Sequence, residues 1–227
     1  MLVTNRSWWF NTIFVVCYLV VNFLLMNSIN YYATYVIGNS SAATPVLAAF
    51  LVASIGATFL VTPADKRLGR RKTMMLGAII AIAGKIWFVA DPFSTGALYM
   101  NAITTGMAIS FAFVLFNVNR NNIVDILEAR HGRRIDSMIA TTDNLASKLA
   151  VAGATLLTTA LLDGAGYDGN LTVQPANAIG VINVMLGWAP LIAAVIMLVA
   201  AALLPIEREY KEAKEKLEKA AEGMINQ

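Results

Sequence analysis

The sequence predicts an all-α, polytopic membrane protein with six transmembrane helices, both termini cytoplasmic and a charged tail. Three observations carry this: the composition, six long apolar stretches, and a one-sided distribution of Lys and Arg. The 227 residues are 58% hydrophobic and only 14% charged, with a mean hydropathy of +0.63. A soluble chain carries roughly 25% charged residues to cover its surface. Length alone fits one or two ordinary soluble domains, and the composition excludes them. A single cysteine, Cys17 inside an apolar run, rules out a disulfide framework and a cysteine-based zinc site. The single histidine, His131, leaves little room for metal or triad chemistry. No phosphate-cradling glycine loop, HExxH pattern or nucleophile elbow occurs. No catalytic residue, metal site or cofactor is expected, and the chain does not read as an enzyme.

One helical crossing of the bilayer core takes about 20 apolar residues. Six stretches qualify, at about 8–29, 45–62, 73–90, 96–118, 138–161 and 179–204. They are too long, and too rich in Ala, Leu and Met, for the roughly ten-residue strands of a barrel. The first run is long, lacks a small-residue cleavage pattern and is flanked by Arg6, Trp8 and Trp9. It is therefore expected to be a mature helix and not a removed signal peptide. Residues 1–206 read as the transmembrane domain and 207–227 as a charged cytoplasmic helical tail. In the tail, Glu207/Lys211, Glu212/Lys216 and Glu215/Lys219 are Glu-before-Lys pairs at i,i+4, which support a solvated helix.

Of the 17 Lys and Arg, all but Lys85 and Lys148 fall on one side of this frame. They are Arg6, the group from Lys66 to Lys72, Arg120, Arg130, Arg133 and Arg134, and the tail cations from Arg208 to Lys219. The alternate loops, 30–44, 91–95 and 162–178, contain none. Such asymmetry places both termini in the cytoplasm. Trp8 and Trp9 then mark the inner interface of the first helix, and Tyr31, Tyr32 and Tyr35 the outer one. The net charge of +3 thus reports topology, and no nucleic-acid partner is expected.

Polar residues inside the spans are the candidates for function. On a helical wheel Asp143, Asn144, Ser147, Lys148 and Thr155 fall within about 140° of the fifth helix. A carboxylate and an ammonium in mid-membrane each cost several kcal/mol unless paired or facing water. Asp143 and Lys148 are therefore read as pathway residues, with an internal Lys–Asp pair or interhelical hydrogen bonding as the alternative. Lys85 has no acid on its own face, because Asp91 lies about 120° away. It is expected to snorkel to the outer interface; pairing with Asp143 or lining the pathway is the alternative. Asn22, Asn27 and Asn30 share a face with Met26, and two readings stand equally: helix–helix hydrogen bonding or a polar cavity wall. Asn117, Asn119, Asn121 and Asn122 are expected to end the fourth helix, as caps or vestibule lining. His131 is expected in a solvated loop.

The segment Asp65-Lys66-Arg67-Leu68-Gly69-Arg70-Arg71-Lys72, between the second and third helices, is either a topology-fixing charge cluster or something more specific. It resembles the signature loop of the major facilitator superfamily, in which an acid immediately precedes Arg-x-Gly-Arg-Arg. Here Lys66 takes that place and Asp65 is displaced by one, as in the degenerate copy of the second half of such transporters. Asn5-Arg6-Ser7-Trp8-Trp9 and Tyr31-Tyr32-Ala33-Thr34-Tyr35-Val36-Ile37-Gly38 are similar to the opening of the second half of glycoside–pentoside–hexuronide:cation symporters. Val124-Asp125-Ile126-Leu127-Glu128 and Gly132-Arg133-Arg134-Ile135-Asp136 resemble the loop before their penultimate helix, with Ile126 for the family's Tyr and Asp136 for its Glu. Asp143-Asn144-Leu145-Ala146-Ser147-Lys148 is similar to the Gln-Thr-x-x-x-Lys stretch of the melibiose-permease branch, and Gly166-Tyr167 follows as it often does there.

The resemblance covers almost the whole chain, but as six helices of the family's usual twelve. It implies one half of a major-facilitator fold, corresponding to the C-terminal half, in a bacterial inner (plasma) membrane. It implies that Lys148 lines the cavity and couples sugar and cation binding, with Asp143 standing where Gln is more usual. It also implies gating by Asp65, Arg67, Gly69, Arg70 and Arg71, with charged pairs and a helix-end contact holding one conformation. The expected function is that of a half-transporter: a secondary active symporter subunit, coupled to H⁺ or Na⁺, for a sugar or related polar solute. Alternating access would follow pairing with a second six-helix half, a separate chain or a second copy. The alternative is a non-transporting subunit or scaffold of a larger membrane complex. Beyond the lipid bilayer, the partners expected are that second half and a small polar solute.

Overall fold

The computed structural model describes residues 2, 4–132 and 134–225. Arg133, one of the inner cations and part of the Gly132–Asp136 motif, lies outside the described residues, as do 226–227 at the end of the expected tail. The described residues form helices without a strand, and six helical segments are long and apolar enough to cross a membrane.

Helix α1 spans Arg6–Tyr35. Asn5 starts it, its side chain accepting from the Trp8 N–H at 2.8 Å and so satisfying one of the donors that a helix start leaves open. The helix runs well past the expected end at 29. Tyr32 and Ala33 continue its buried face from Ile29, and the Tyr32 hydroxyl donates to the Pro92 carbonyl.

Helices α2 (Ala43–Leu68) and α3 (Arg70–Ala90) are separated by Gly69 alone. The expected loop 65–72 is therefore a one-residue turn, with Asp65, Lys66 and Arg67 in the last turn of α2. Gly69 has φ +84° and ψ 162°, a positive-φ extended conformation that is essentially glycine's alone. Its N–H closes α2 on the Asp65 carbonyl at 3.0 Å.

Helix α4 (Thr95–His131) has 37 residues, about 55 Å at 1.5 Å per residue, against a hydrocarbon core of about 30 Å. It does not end at Asn117–Asn122 as expected. Ile123, Val124, Ile126 and Leu127 bury one face of the continuation, so tertiary packing carries the helix beyond its apolar run. His131 is the last helical residue, exposed, and not part of a loop.

Helix α5 spans Asp136–Gly164. The sixth crossing, expected as one helix over 179–204, is broken at Gly187 into α6 (Ala176–Leu186) and α7 (Trp188–Leu203). Pro190 explains the break, since it has no N–H for the Leu186 carbonyl one turn earlier. After Pro205 the tail forms α8 (Ile206–Ile225). It is docked along one face: Ile206 and Ala213 are buried and Tyr210 packs beside them against the inner extension of α4.

Helix α4 runs through the middle, with α2 and α3 along it; α1 packs against α4, α5, α6 and α7, and α3 against α7. Helix α3 lies close against α4 at Gly84, where an added Cβ would lie 1.7 Å from the Thr104 hydroxyl. Such small residues let backbones meet where no hydrophobic force between helices operates. Helices α2 and α5 sit at the margins with large apolar faces uncovered, among them Val52, Ile55 and Phe59 on α2 and Leu149 and Leu156 on α5.

Candidate functional site: the α5 polar strip and the inner turn

Helix α5 divides its polar residues between two environments. Lys148 and Asn144 are exposed and Ser147 half-buried. Ser147 and Lys148, with Val151 and Ala152, line an open depression of ≈ 380 Å³. The Ser147 hydroxyl donates to the Asp143 backbone carbonyl at 2.8 Å and the Thr155 hydroxyl to that of Val151 at 2.9 Å. Both hydroxyls are thus satisfied within the helix. The Lys148 ammonium is the charge this strip presents.

Asp143 points the other way. It is 3% exposed, on the side of α5 that packs against α1, and neither carboxylate oxygen has a hydrogen-bond partner. The indole of Trp8 and the charge of Arg120 act on it from α1 and α4, yet the indole N–H is itself without a normal hydrogen bond. Asp143 and Lys148 therefore form no ion pair; the spread between them sends one into the α1 seam and leaves the other outside. A buried carboxylate without a direct hydrogen bond is costly to hold in apolar surroundings. It can take up a proton or a cation without any protein bond having to break.

Asn22 on α1 is half-buried and its Oδ1 has no partner. Asn27 is exposed and donates to its own Phe23 carbonyl at 2.9 Å, and Asn30 is exposed as well. The asparagine face of α1 thus splits, and only Asn22 offers an unsatisfied group to a neighbour.

Lys85 does not snorkel. It is 0% exposed, turned into the α3–α4 contact, where Nζ donates to Asn101 Oδ1 at 2.5 Å and Thr105 Oγ1 at 2.8 Å. These neutral acceptors lie on α4. It joins neither Asp143 nor the α5 strip.

The inner turn is a network. The Arg70 guanidinium donates to both oxygens of Asp65 at 2.8 Å, and to Asn119 Oδ1 at 3.2 Å. The amide of Asn119, buried, reaches Asn11 Oδ1 at 3.1 Å. One fork-shaped cation thus ties α2, α3, α4 and α1. Although displaced by one position from the family pattern, Asp65 still meets Arg70 across Gly69. Arg67 is exposed. Arg71 is exposed too, and enters through its backbone N–H, which donates to Glu207 of α8 at 3.0 Å.

Two inner contacts were not marked as site residues by the sequence. Glu209 of α8 accepts from the Ser7 hydroxyl at 2.9 Å and lies 3.5 Å from Arg130, so the start of α1 and the first turn of α8 meet on one side. Arg134 bridges Asp136 at 2.8 Å and Glu128 at 3.1 Å; hydrogen bonding to Asp136 raises the guanidinium pKa further. The Gly132–Asp136 motif was the signal for that cluster, while nothing in the Glu-before-Lys pattern distinguished Glu207 or Glu209.

A six-helix unit with a charged turn at one end and intramembrane ionisable residues has the make-up of a membrane transport protein. The chain matches the family described as MFS/sugar transport protein over residues 2–208, and it belongs to that family, a group of transporters and not of enzymes. It is an integral, multi-pass membrane protein. It is 25% identical over 165 residues to the isoprimeverose transporter of Lactiplantibacillus pentosus, a match covering 71% of this chain and 34% of that protein. The chain thus spans about a third of the length of that curated relative.

Proposed function

We propose that these six helices act as one half of a secondary active symporter that moves a sugar or related polar solute, coupled to H⁺ or Na⁺. The observation that carries this reading is Asp143: a carboxylate buried at the α1–α5 contact with neither oxygen hydrogen-bonded, five residues before the exposed Lys148. The carboxylate binds the coupling cation, and Lys148, with Ser147 and Asn144, meets the hydroxyls of the solute. The uncovered faces of α2 and α5 receive a second six-helix unit, and the cavity forms between the two. Rocking of one unit against the other exposes it alternately to the two sides. The Asp65–Arg70–Asn119 network holds the inner ends together in one of these states. Both ends of the chain lie in the cytoplasm, in keeping with the basic residues gathered there.

Isoprimeverose uptake into proteoliposomes holding the complete assembly tests the proposal, driven separately by a pH gradient and by a Na⁺ gradient. Asp143→Asn abolishes coupled accumulation, and Lys148→Ala abolishes sugar-dependent flux. Gradient-driven uptake that survives in both variants overturns the reading and leaves a non-transporting membrane subunit in its place.

A further inference from the structure

We propose that Lys85 and Asn101 form a latch on the break in the sixth crossing, in which the Asn101 carboxamide replaces the helical donor that Pro190 lacks. In a continuous helix the Leu186 carbonyl accepts from the N–H of residue 190. Proline has none, so this carbonyl is orphaned deep in the bundle, where water is not at hand to satisfy it. Asn101 Nδ2, from α4, donates to that carbonyl at 3.2 Å. Asn101 is 0% exposed.

The carboxamide can do this only if its oxygen points elsewhere. Lys85 secures that: an ammonium is a donor only, so it must take Oδ1, which it does at 2.5 Å. The Thr105 hydroxyl donates to the Asn101 backbone carbonyl at 2.6 Å and offers its lone pairs to Lys85. The sequence of bonds, from α3 to α4 to the end of α6, has one polarity. Phe88 and Val89 of α3 crowd Gly187 from the same side as Lys85. The close approach of α3 to α4 at Gly84 brings the lysine within reach.

This accounts for a buried cation whose hydrogen-bond partners, Asn101 and Thr105, are both neutral, as a positioning residue that acts through Asn101. It also gives α6 and α7 a defined mutual angle where the backbone ladder alone would leave a loose pivot. The proposal is independent of which solute or ion the protein moves.

The test uses the full chain in nanodiscs, in a Cys17→Ser background, with spin labels on Val184→Cys of α6 and Val199→Cys of α7, both exposed positions. Electron–electron distance distributions and thermal melts are recorded. In the parent the distribution is narrow. Asn101→Ala broadens it and lowers Tm by about 3 °C or more. In a Pro190→Ala background, where the helical N–H returns, the same change has less than half that effect. Lys85→Met broadens the distribution alone and adds little to Asn101→Ala. Asn101→Asp guards against simple misfolding: it keeps an acceptor for Lys85 but removes the donor to Leu186, so it broadens the distribution while Tm is held. Equal effects of Asn101→Ala with and without Pro190, additive effects of Lys85→Met and Asn101→Ala, or a narrow distribution in Asn101→Asp overturns the latch.

Discussion

The Glu207 carboxylate accepts a hydrogen bond at 3.0 Å from the backbone N–H of Arg71. The first turn of α8 therefore caps the start of α3, where open N–H groups and the helix dipole favour a negative charge. It does so beside Gly69, whose missing side chain leaves room: an added Cβ would stand 2.9 Å from the same carboxylate oxygen.

Glu207→Ala is accordingly expected to destabilise the chain by about 0.5–1 kcal/mol, the usual worth of an exposed cap. Glu212→Ala, which removes the exposed i,i+4 pair that Glu212 makes with Arg208 at 3.4 Å and not with Lys216, costs about 0.3–0.5 kcal/mol. Thermal melts of the two variants in the same detergent give the ordering.

Gly69→Ala is expected to cost about 1–3 kcal/mol for the positive-φ backbone alone, plus displacement of Glu207. In the Glu207→Ala background the second part disappears, so the double variant is less than additive. A double-mutant cycle on Tm measures the difference.

Asn119→Ala leaves the buried Asn11 oxygen without its donor and the Arg70 fork with one acceptor fewer. The expected loss is about 1–3 kcal/mol. Arg70→Lys keeps the charge but cannot span Asp65 and Asn119 together, and lowers Tm as well. A Tm unchanged in both variants contradicts the account of the inner turn.

Asp143→Asn removes a buried charge that no protein group bonds, so the variant is expected to be at least as thermostable as the parent. Lys148→Ala, at an exposed position, changes stability by less than about 0.5 kcal/mol. Stability measured alongside uptake separates a lost transport step from a lost fold.

In a Cys17→Ser background, Lys148→Cys is expected to react readily with a water-soluble maleimide when the six-helix unit is alone in detergent. Asp143→Cys, five positions along the same helix, is expected to stay protected by α1. Similar rates at the two positions would contradict the division of the α5 strip.

The number of crossings and the family were readable from hydropathy, from the placement of Arg and Lys, and from the motifs around Gly69 and Lys148. Helix ends were not. The apolar run of α4 stops near residue 118, but Ile123, Val124, Ile126 and Leu127 continue a single buried face against the tail, a contact between distant parts of the chain. Gly187 and Pro190 lay in plain view, but a hydropathy average runs straight across a break. Lys85 misled because its partners are on the next helix, 16 and 20 residues away, so its own face shows nothing to hold it. Asp143 and Lys148 share one polar arc on the helical wheel. The arc was wide enough, though, to hold a buried group and an exposed one, which residue type alone does not separate.

The one-residue connection at Gly69 has a mechanical consequence. A longer loop would take up slack, letting the inner end of α2 shift while α3 stayed still. With a single residue between them, and with Asp65 clasped to Arg70, a displacement of the inner end of α2 cannot be absorbed by a loop and bears directly on α3. The Arg71–Glu207 bond extends that coupling to the first turn of α8.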